Sequence, residues 1–376
     1  MANTLTNLIP IYFRALDMVS REVTGLLAAV NLDAGSDSIA KGQTVYSPVA
    51  PANTTYAITP AMTVTAAADQ TIATKSLVID TYNSSGFNWT AEEDFALDSR
   101  LAGIMEGQFA QCFRVHLNTL EAALCTAAAV GASRAFGATA GTTPVLGDFA
   151  SVQKILTDNG APITDRHCVI DTTAGVALRS TSNLYKVNEA GDGGAMVRQG
   201  VLGNLYGGDI RESAGIQTTT AGTGTSYTTT AAGFAAGTTS IPLITGSGTV
   251  LAGDIVTFAG DTNKYVVATG VAAPGTIVLA APGLRVAMSA ATKAMTILAT
   301  STRNLALSRN AITLATRLPK FQPGDLASDR FVMTDPRTGI AFEISVWPGQ
   351  RMLKYEVSIA YGMTVIKPEH LAIIIG

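Results

Sequence analysis

The chain has 376 residues, of which 47% are hydrophobic and only 14% are charged, and its formal net charge is −3. A chain of this length can bury substantial cores and should divide into two or three domains. The slightly acidic balance supplies no basic field, which argues against a protein that grips nucleic acid by neutralising phosphates. With so few charges, much of the surface must be uncharged, and such a surface suits close packing between subunits.

Cysteine usage and targeting segments indicate the compartment. Cys112, Cys125 and Cys168 are too few and too scattered for a disulfide framework, so we expect free thiols. No apolar run approaches the roughly 18 residues of a membrane span. The N-terminus lacks the basic-then-apolar plan of a signal peptide. We therefore expect an intracellular, reducing setting.

The first part of the chain is predicted to be an arm with helical patches, followed by extended sequence. The helical spacing ends at Gly35 and is set by Leu16, Val19, Val23, Leu26 and Leu27. Residues 41–81 are rich in Thr, Val and Tyr and are broken by prolines, which predicts hairpin strands near 44–47, 56–66 and 71–81. A hairpin with few large apolar residues is marginal alone, so we expect it to stand free or to lie on another chain.

The longest regular segment, residues 90–136, is predicted to be one helix. Its apolar stripe recurs every three or four residues and consists of Leu101, Met105, Phe109, Phe113, Leu117, Leu120 and Leu124. Thr90 and Glu93 form a capping-box pattern, and the acids at 92–94 suit the positive end of the helix dipole. Gly131 and Gly137 offer ends, so the helix would span roughly 40 residues, or about 60 Å.

So long a stripe needs an equally long partner surface. A coiled coil or a helical bundle is one alternative, but e/g charge pairing is sparse and no second helix of comparable length follows. The flanking sequence is strand-like instead. We therefore expect a long spine helix lying on a sheet.

The segment after the spine alternates helix and strand. We expect Asp148 to cap a helix that Gly160 and Pro162 end. A buried strand over residues 166–171 and a helix over 172–178 follow, as in a compact mixed domain. The glycine-rich residues 191–208 are predicted to be loop and turn. They lack the Gly-Lys-Ser/Thr ending of a phosphate loop.

Residues 216–299 differ in composition from the rest, because charge nearly vanishes and Thr and Gly dominate. Short strands are predicted at 239–244, 254–258, 264–269, 276–279 and 294–298. Strands at this spacing indicate a small β-barrel or sandwich. Polar flanks on both sides predict an inserted domain whose two ends lie close together.

The last part of the chain is predicted to supply the sheet beneath the spine. A helix is expected over residues 303–318, stopped by Pro319, and the sequence DPRTG at 335–339 predicts a turn. Strands are expected over 340–347 and 354–366. These strands are the candidates for the sheet on which the spine lies.

Residues with catalytic or metal-binding chemistry are sparse. His116, His167 and His370 are the only histidines and lie at no metal-ligand spacing, so we expect a structural hydrogen bond for His116. Glu92, Glu93 and Asp94 could form a catalytic cluster, yet helix capping explains them. No nucleophile elbow, His-Glu-x-x-His or Cys-x-x-Cys motif is present. We assign no catalytic, cofactor-binding or metal residue and no cofactor.

Several stretches resemble the major capsid (coat) proteins of tailed bacteriophages, which share the Hong Kong ninety-seven type of fold. The similarity covers nearly the whole chain and is closest to the short-tailed-phage branch with an inserted β-barrel. The stretches are LVIDTYNSSGFNWTAEEDFALDS, VLGNLYGGDIRES, LAGDIVTFAG, RNLALSRNAITLATRLP, DPRTGIAFEISVWPGQ and YEVSIAYGMTVIKPEHLAIIIG.

The resemblance implies an α+β fold with a long spine helix on a β-sheet in a peripheral domain, an α/β axial domain and an inserted small β-barrel. The implied divisions are an N-terminal arm (1–36), an extended hairpin loop (37–84) and the peripheral domain with the spine (85–137). The axial domain follows in two parts (138–216 and 301–328) around the inserted barrel (217–300), and C-terminal strands of the peripheral domain (329–376) complete the chain.

The resemblance also implies a non-enzymatic structural protein that self-assembles into an icosahedral head shell around packaged double-stranded DNA. Its implied partners are copies of itself in hexamers and pentamers, a scaffolding protein, a portal at one vertex, DNA as a non-specific neighbour and optionally a decoration protein. It would be a virion component assembled in the host cytoplasm, with no membrane. The alternatives are an encapsulin-like cargo compartment and, more remotely, a hydrolase with a β-rich accessory domain.

Overall fold

The structure is a computed structural model that describes residues 9–20, 25–49, 55, 73–97, 101–137, 141–181, 184 and 202–376. The α-helices of these residues are Ile9–Ser20 (α1), Ala91–Leu97 (α2), Leu101–Gly131 (α3), Leu146–Asp158 (α4) and Thr172–Arg179 (α5). Short 3-10 turns lie at Leu26–Ala29, Arg309–Ala311 and Pro368–His370. The strand predicted at 56–66 and most of the glycine-rich segment 191–208 lie outside the described residues.

The strands outnumber the helices and pair mostly antiparallel, so the fold is α+β. In the first half of the chain the strands are Asn31–Ile39 (β1), Gln43–Val49 (β2), Ala73–Ile79 (β3), Thr81–Thr90 (β4), Arg134–Phe136 (β5), Arg166–Ile170 (β6), Asn204–Leu205 (β7) and Gly208–Glu212 (β8). Those of the glycine- and threonine-rich segment are Thr218–Thr219 (β9), Thr225–Thr229 (β10), Ser240–Ser247 (β11), Ile255–Phe258 (β12), Lys264–Thr269 (β13), Thr276–Leu279 (β14) and Met295–Ile297 (β15). The last are Ser301–Ser308 (β16), Ile312–Pro319 (β17), Asp329–Thr334 (β18), Ala341–Gly349 (β19), Met352–Val365 (β20) and Leu371–Ile375 (β21).

The predicted spine is confirmed over α3, which ends at Gly131. All six stripe residues from Met105 to Leu124 are at most 5% exposed. The capping box is also present, since the Thr90 N–H donates to Glu93 Oε2 at 2.9 Å and the Glu93 N–H donates to Thr90 Oγ1 at 3.3 Å. Residues 98–100 and the side chain of Leu101 lie outside the description, so the continuity of the helix stays a prediction.

The stripe of α3 lies on a sheet, as predicted. This peripheral sheet has the order β1-β17-β20-β19-β18, and β4 also pairs with β20. The Phe109 ring meets the Tyr355 ring edge-on with centroids 5.7 Å apart, and the Phe113 ring meets Phe342 at 5.3 Å. The predicted strands 340–347 and 354–366 are β19 and β20, and they form the surface under the helix.

A second sheet runs β5-β21-β16-β6-β8-β7 and confirms the predicted helix–strand alternation. β6 is buried along its whole length, and α4 packs on this sheet. α5 begins after Asp171, whose carboxylate accepts bonds from the N–H groups of Thr173 and Ala174. Asp148 is not the cap of α4 as predicted. It lies in the first turn, where its Oδ2 accepts a bond from the Val145 N–H at 3.0 Å.

The strands predicted between residues 239 and 298 are all present, and their pairings form a closed ring. The order is β10-β11-β14-β13-β12-β15, and a bridge between Thr228 and Ala294 joins the last strand region to the first. The ring encloses a core of its own, built only from residues between Tyr227 and Met295. β13 also pairs with β5, which joins the ring to the second sheet.

The prediction of a helix over 303–318 is wrong. β16 and β17 occupy this segment and are almost entirely buried. Alternate residues of β16 enter two different cores, because Leu305 and Leu307 face the spine side while Ala306 faces α4. A strand buried on both faces is a continuous apolar run, which periodicity alone does not distinguish from a buried helix.

The first part of the chain differs from the expectation at two further places. Residues 31–39 belong to β1, which pairs in parallel with β17, so Gly35 does not end a helix. The segment NLDAGSDSI has weak strand propensity, and its pairing partner decides its conformation. Residues 81–90 form β4, a strand that was not predicted although Phe87 and Trp89, two residues apart, both pack on the core.

We expect Phe109→Ala to lower the free energy of unfolding by about 3–5 kcal/mol, because a buried ring is removed and a cavity is left. The Phe109 ring contacts Tyr12, Phe87 and Tyr355, with centroids 4.5, 4.8 and 5.7 Å away. The exposed Gln111, on the opposite face of α3, gives the control variant Gln111→Ala, which should stay within about 0.5 kcal/mol. Urea midpoints measure both, and equal midpoints would contradict the packing described.

Candidate assembly surfaces

The three histidines have separate structural environments. His116 Nε2 lies 2.8 Å from the carbonyl oxygen of Val357 in β20, and burial lowers the pKa of His116. This agrees with the predicted structural hydrogen bond. His167 Nε2 lies 2.9 Å from Asp165 Oδ1. The third histidine, His370, is buried, and this burial lowers its pKa.

Of the three acids at the start of the spine, Glu93 acts in helix capping. Hydrogen bonds from the Thr90 N–H and hydroxyl lower the pKa of Glu93. Glu92 is exposed to solvent, and the side chain of Asp94 lies outside the description. A carboxylate that accepts two local hydrogen bonds at a helix start has the role that the capping pattern predicts.

Within the described ranges, no three His, Cys, Asp or Glu side chains come together as a group that could hold a metal ion. The three cysteines are buried free thiols, as predicted. None of the helices in these ranges is both long and apolar enough to span a membrane.

A buried carboxylate, Glu121, fixes the arm to the spine. Its Oε1 accepts bonds from the Leu26 N–H at 2.5 Å and the Ser213 hydroxyl at 2.7 Å, and its Oε2 accepts from the Leu27 N–H at 2.9 Å. Leu26 and Leu27 begin the 3-10 turn of the arm, where N–H groups lack partners within the turn. One side chain of α3 therefore holds both the arm and the loop after β8.

The backbone of the arm approaches Glu121 so closely that only glycine fits at position 25. A Cβ on Gly25 would lie 2.1 Å from Glu121 Oε1 and 2.5 Å from Ser213 Cβ. We did not predict this anchor from the sequence. The available signal was that Glu121 lies on the apolar stripe, four residues after Leu117 and three before Leu124.

The hairpin formed by β2 and β3 has two different faces. The register pairs Val45 with Leu77 and Tyr46 with Ser76, so alternate residues face opposite sides. One face packs on the peripheral sheet in a cluster of Ile39, Leu77, Ile79, Ala315 and Ala360. On the other face, Tyr46 is 68% exposed and Val78 is 44% exposed. The hairpin thus presents an outer face on which Tyr46 and Val78 are exposed beside the polar Thr74 and Ser76.

The hairpin is held where β3 crosses β20 at Gly362. A Cβ on Gly362 would lie 2.1 Å from the Val78 carbonyl oxygen and 2.9 Å from Ile79 Cα. No other residue fits this crossing without moving the backbone. Lys75 Nζ also donates to the Ile366 carbonyl oxygen. The base of the hairpin is therefore fixed in direction relative to the sheet.

A second group of exposed apolar side chains lies in the loop before β18, which is the strand at one edge of the peripheral sheet. Leu326 is 80% exposed and Phe321 is 45% exposed. The Arg330 guanidinium lies 4.4 Å from the centroid of the Phe321 ring and 5.5 Å from that of Trp347. It also forms an ion pair with Asp325. These contacts order an apolar loop at a sheet edge, where another chain can pack.

We expect Glu121→Ala to lower the free energy of unfolding by about 3 kcal/mol or more, because three buried donors lose their acceptor. Protease cleavage in the arm should also become faster. The matched control is Glu106→Ala on the same helix, whose ion-pair partner Arg14 is 71% exposed, so that the pair contributes about 0–1 kcal/mol. Urea denaturation and limited proteolysis measure the two variants. Similar behaviour of both would refute the anchoring role.

No family model and no curated protein matches the sequence. Among solved structures, the chain is similar to the capsid structure of the cyanophage P-SCSP1u, with TM-score 0.50, 14% identity, and 94% of this chain and 88% of that chain covered. The chain has a phage capsid fold. It is also similar to a chain of Mycobacterium phage Che8 (TM-score 0.49, 14% identity, coverage 89% and 85%) and to the virus-like particle from Pyrococcus furiosus (TM-score 0.46, 8% identity, coverage 97% and 98%).

Proposed function

We propose that the chain is the major capsid protein of a tailed phage, which self-assembles into the icosahedral head shell around packaged double-stranded DNA. The observation that carries the proposal is the capsid fold shared over 94% of the chain. The exposed apolar side chains of the hairpin and of the loop before β18 support it, because a closed shell requires more than one contact surface on each subunit.

The proposed divisions are those that the resemblance implies, except for two strands. We assign these two strands, β17 and β21, by the strands with which they pair. The arm (1–36), the hairpin loop (37–84), the spine segment (85–137) and the C-terminal strands (329–376) would form the peripheral part. Residues 138–216 and 301–328 would form the axial part. β17 pairs with β1 and β20, so we assign it to the peripheral part, and β21 pairs with β16, so we assign it to the axial part.

The inserted domain is proposed to be residues 217–300, a small closed barrel. Its core is separate from the others, and its flanks meet directly, because Thr218 pairs with Thr302 and Thr219 with Ser301. Ends that are adjacent in space allow a domain to be inserted without displacing its host. In the shell, the barrel would stabilise the axial part or bridge neighbouring subunits.

The proposed partners are further copies of the chain in hexamers and pentamers, a scaffolding protein during assembly, a portal at one vertex and optionally a decoration protein. DNA would be a non-specific neighbour, since a net charge of −3 provides little attraction to phosphates. A shell wall that binds DNA weakly does not impede its entry or exit. The proposed location is the virion, after assembly in the host cytoplasm.

We expect the double variant Tyr46→Ser with Val78→Ser to remain folded and to lose shell assembly. Both side chains lie on the exposed face of the hairpin, so each should change the free energy of unfolding by less than about 0.5 kcal/mol. Val176→Ser, an exposed apolar residue of α5, is the control and should assemble normally. Negative-stain microscopy with the scaffolding protein counts the particles. Wild-type yields from the double variant would refute the hairpin contact.

Excision of residues 217–300 with a short Gly/Ser linker should leave a folded subunit, because the flanks are already neighbours. We expect loss of correctly sized particles, whereas the isolated segment should fold with modest stability around its own core. Particle size by microscopy and amide dispersion by NMR are the measurements. Normal particles from the excised subunit would show that the barrel is not needed for assembly. An isolated segment without dispersed amide signals would contradict the proposal that it is a separate domain.

The contents of purified particles distinguish the proposal from an encapsulin-like compartment. Shells that form around a scaffolding protein and later hold double-stranded DNA are expected for a capsid protein. Shells that co-purify with an enzyme as cargo, without DNA, would instead assign the chain to a cargo compartment.

A further inference from the structure

A groove of about 480 Å³ lies where the barrel meets the second sheet. Its charged lining residues are Lys154 and Asp158 of α4, Arg134 of β5, Lys264 of β13, and Arg285 in the segment after β14. Four of the 25 basic residues of the chain thus line this basic groove, against one of the 28 acidic residues. Because the whole chain has a net charge of −3, the groove is a positive site on an otherwise acidic protein.

The single acid of the basic groove does not neutralise the cations around it. Lys154 Nζ donates to Asp158 Oδ2 at 2.7 Å, and Arg285 Nη2 lies 3.9 Å from the same oxygen. The hydrogen bond from Lys154 and the charges of Arg285 and Arg134 lower the pKa of Asp158. Burial and the nearby charge of Arg285 lower the pKa of Arg134. Like charges therefore lie beside one carboxylate, and a second carboxylate would stabilise them.

The cations at the rim of the groove are open to solvent. The Lys154 side chain is largely exposed, and that of Arg285 is half exposed. Phe136, at the end of β5, also lines the groove and exposes part of its ring. Asp261 lies close by, but its Oδ2 accepts a bond from the Tyr265 hydroxyl at 2.6 Å. The groove thus suits a ligand that carries acids next to an apolar group.

The helix α2 has this complementary composition. Its sequence, AEEDFAL, contains three consecutive acids and no base. Phe95 is 89% exposed, and Glu92 is exposed three residues earlier, so the two side chains are neighbours on the helix surface. A large apolar side chain so exposed on an ordered helix indicates a protein contact.

The basic groove of the same subunit is out of reach of α2. Trp89, just before α2, bonds to Gln108 in the first part of α3 at 3.1 Å, whereas the groove lies beyond Gly131, the last residue of α3. α3 has 31 residues and is therefore about 46 Å long. A contact between sites at opposite ends of this helix joins two copies head to tail, and such a contact repeats around an axis.

We propose that α2 of one copy docks in the basic groove of a second copy, with Glu92 on Arg285 and Phe95 against Phe136. The contact rests on the proposed shell assembly and would add a charged, specific contact to the apolar ones. A nucleic acid is the other polyanion that a positive groove attracts. The acidic balance of the rest of the chain repels so long a polyanion, whereas a short acidic helix meets only the groove.

The test reverses one charge and counts particles by negative-stain microscopy. Arg285→Glu should lower the particle yield at least about tenfold, because the like-charge contact recurs at every subunit. Its urea midpoint should stay near that of the wild type, since Arg285 is half exposed. Lys293→Glu makes the same charge change on the barrel outside the groove and should assemble normally. Equal yields from the two variants would overturn the inference.

A charge exchange tests whether α2 is the occupant. Glu92→Arg should lower the yield as Arg285→Glu does, and the double variant should recover most of it, because the ion pair is restored with reversed sign. A double variant no better than the single ones would contradict docking of α2. Normal yields of Arg285→Glu particles with less DNA inside would assign the groove to phosphates and would also overturn the inference.

A crosslink covers the case in which the charge variants do not fold. Ala91→Cys is exposed at the start of α2, Ser151→Cys lines the groove, and the native cysteines are buried. Particles from a mixture of these two variants should give a dimer band with a short bismaleimide, whereas particles of either variant alone should not. Mixed particles without this band would overturn the inference and leave the proposed function intact. A wild type that forms no particles would instead contradict the proposed function itself.

Discussion

The burial of the α3 stripe is the interaction on which the rest of the fold depends. One continuous core joins this stripe to α1, to the peripheral sheet and to one face of β16 and β21. The helix thus contacts the arm, both sheets and β13 of the ring. Because the hydrophobic effect is non-directional, this core supplies stability without fixing how each element is oriented.

Polar contacts and close backbone approaches fix those orientations. Glu121 bonds to specific backbone N–H groups of the arm, so the arm has one position along the spine. Gly25 and Gly362 mark places where the chain passes too close for a side chain. Each of these contacts is costly to lose, because a buried donor or a displaced backbone has no alternative partner. They convert a general apolar core into one arrangement.

The exposed surfaces of the subunit bear on the proposed assembly. The hairpin and the loop before β18 are anchored by the close approach at Gly362 and by Arg330, yet they expose Tyr46, Val78, Phe321 and Leu326. Exposed apolar groups on ordered elements are candidates for protein contacts. With only 14% charged residues, the chain has few charges that a neighbouring subunit would have to desolvate.

The sequence by itself determined the elements whose burial is one-sided. The stripe of α3, residues 355–359 of β20 and the strand β14 have periods that report one buried face. Tertiary structure decided the rest. β16 and β17 have two buried faces and lose their period. β1 is polar and becomes a strand by pairing with β17, and the hydrogen bonds of Glu121 join distant segments. Periodicity reports contact with a surface, whereas the identity of that surface depends on long-range packing.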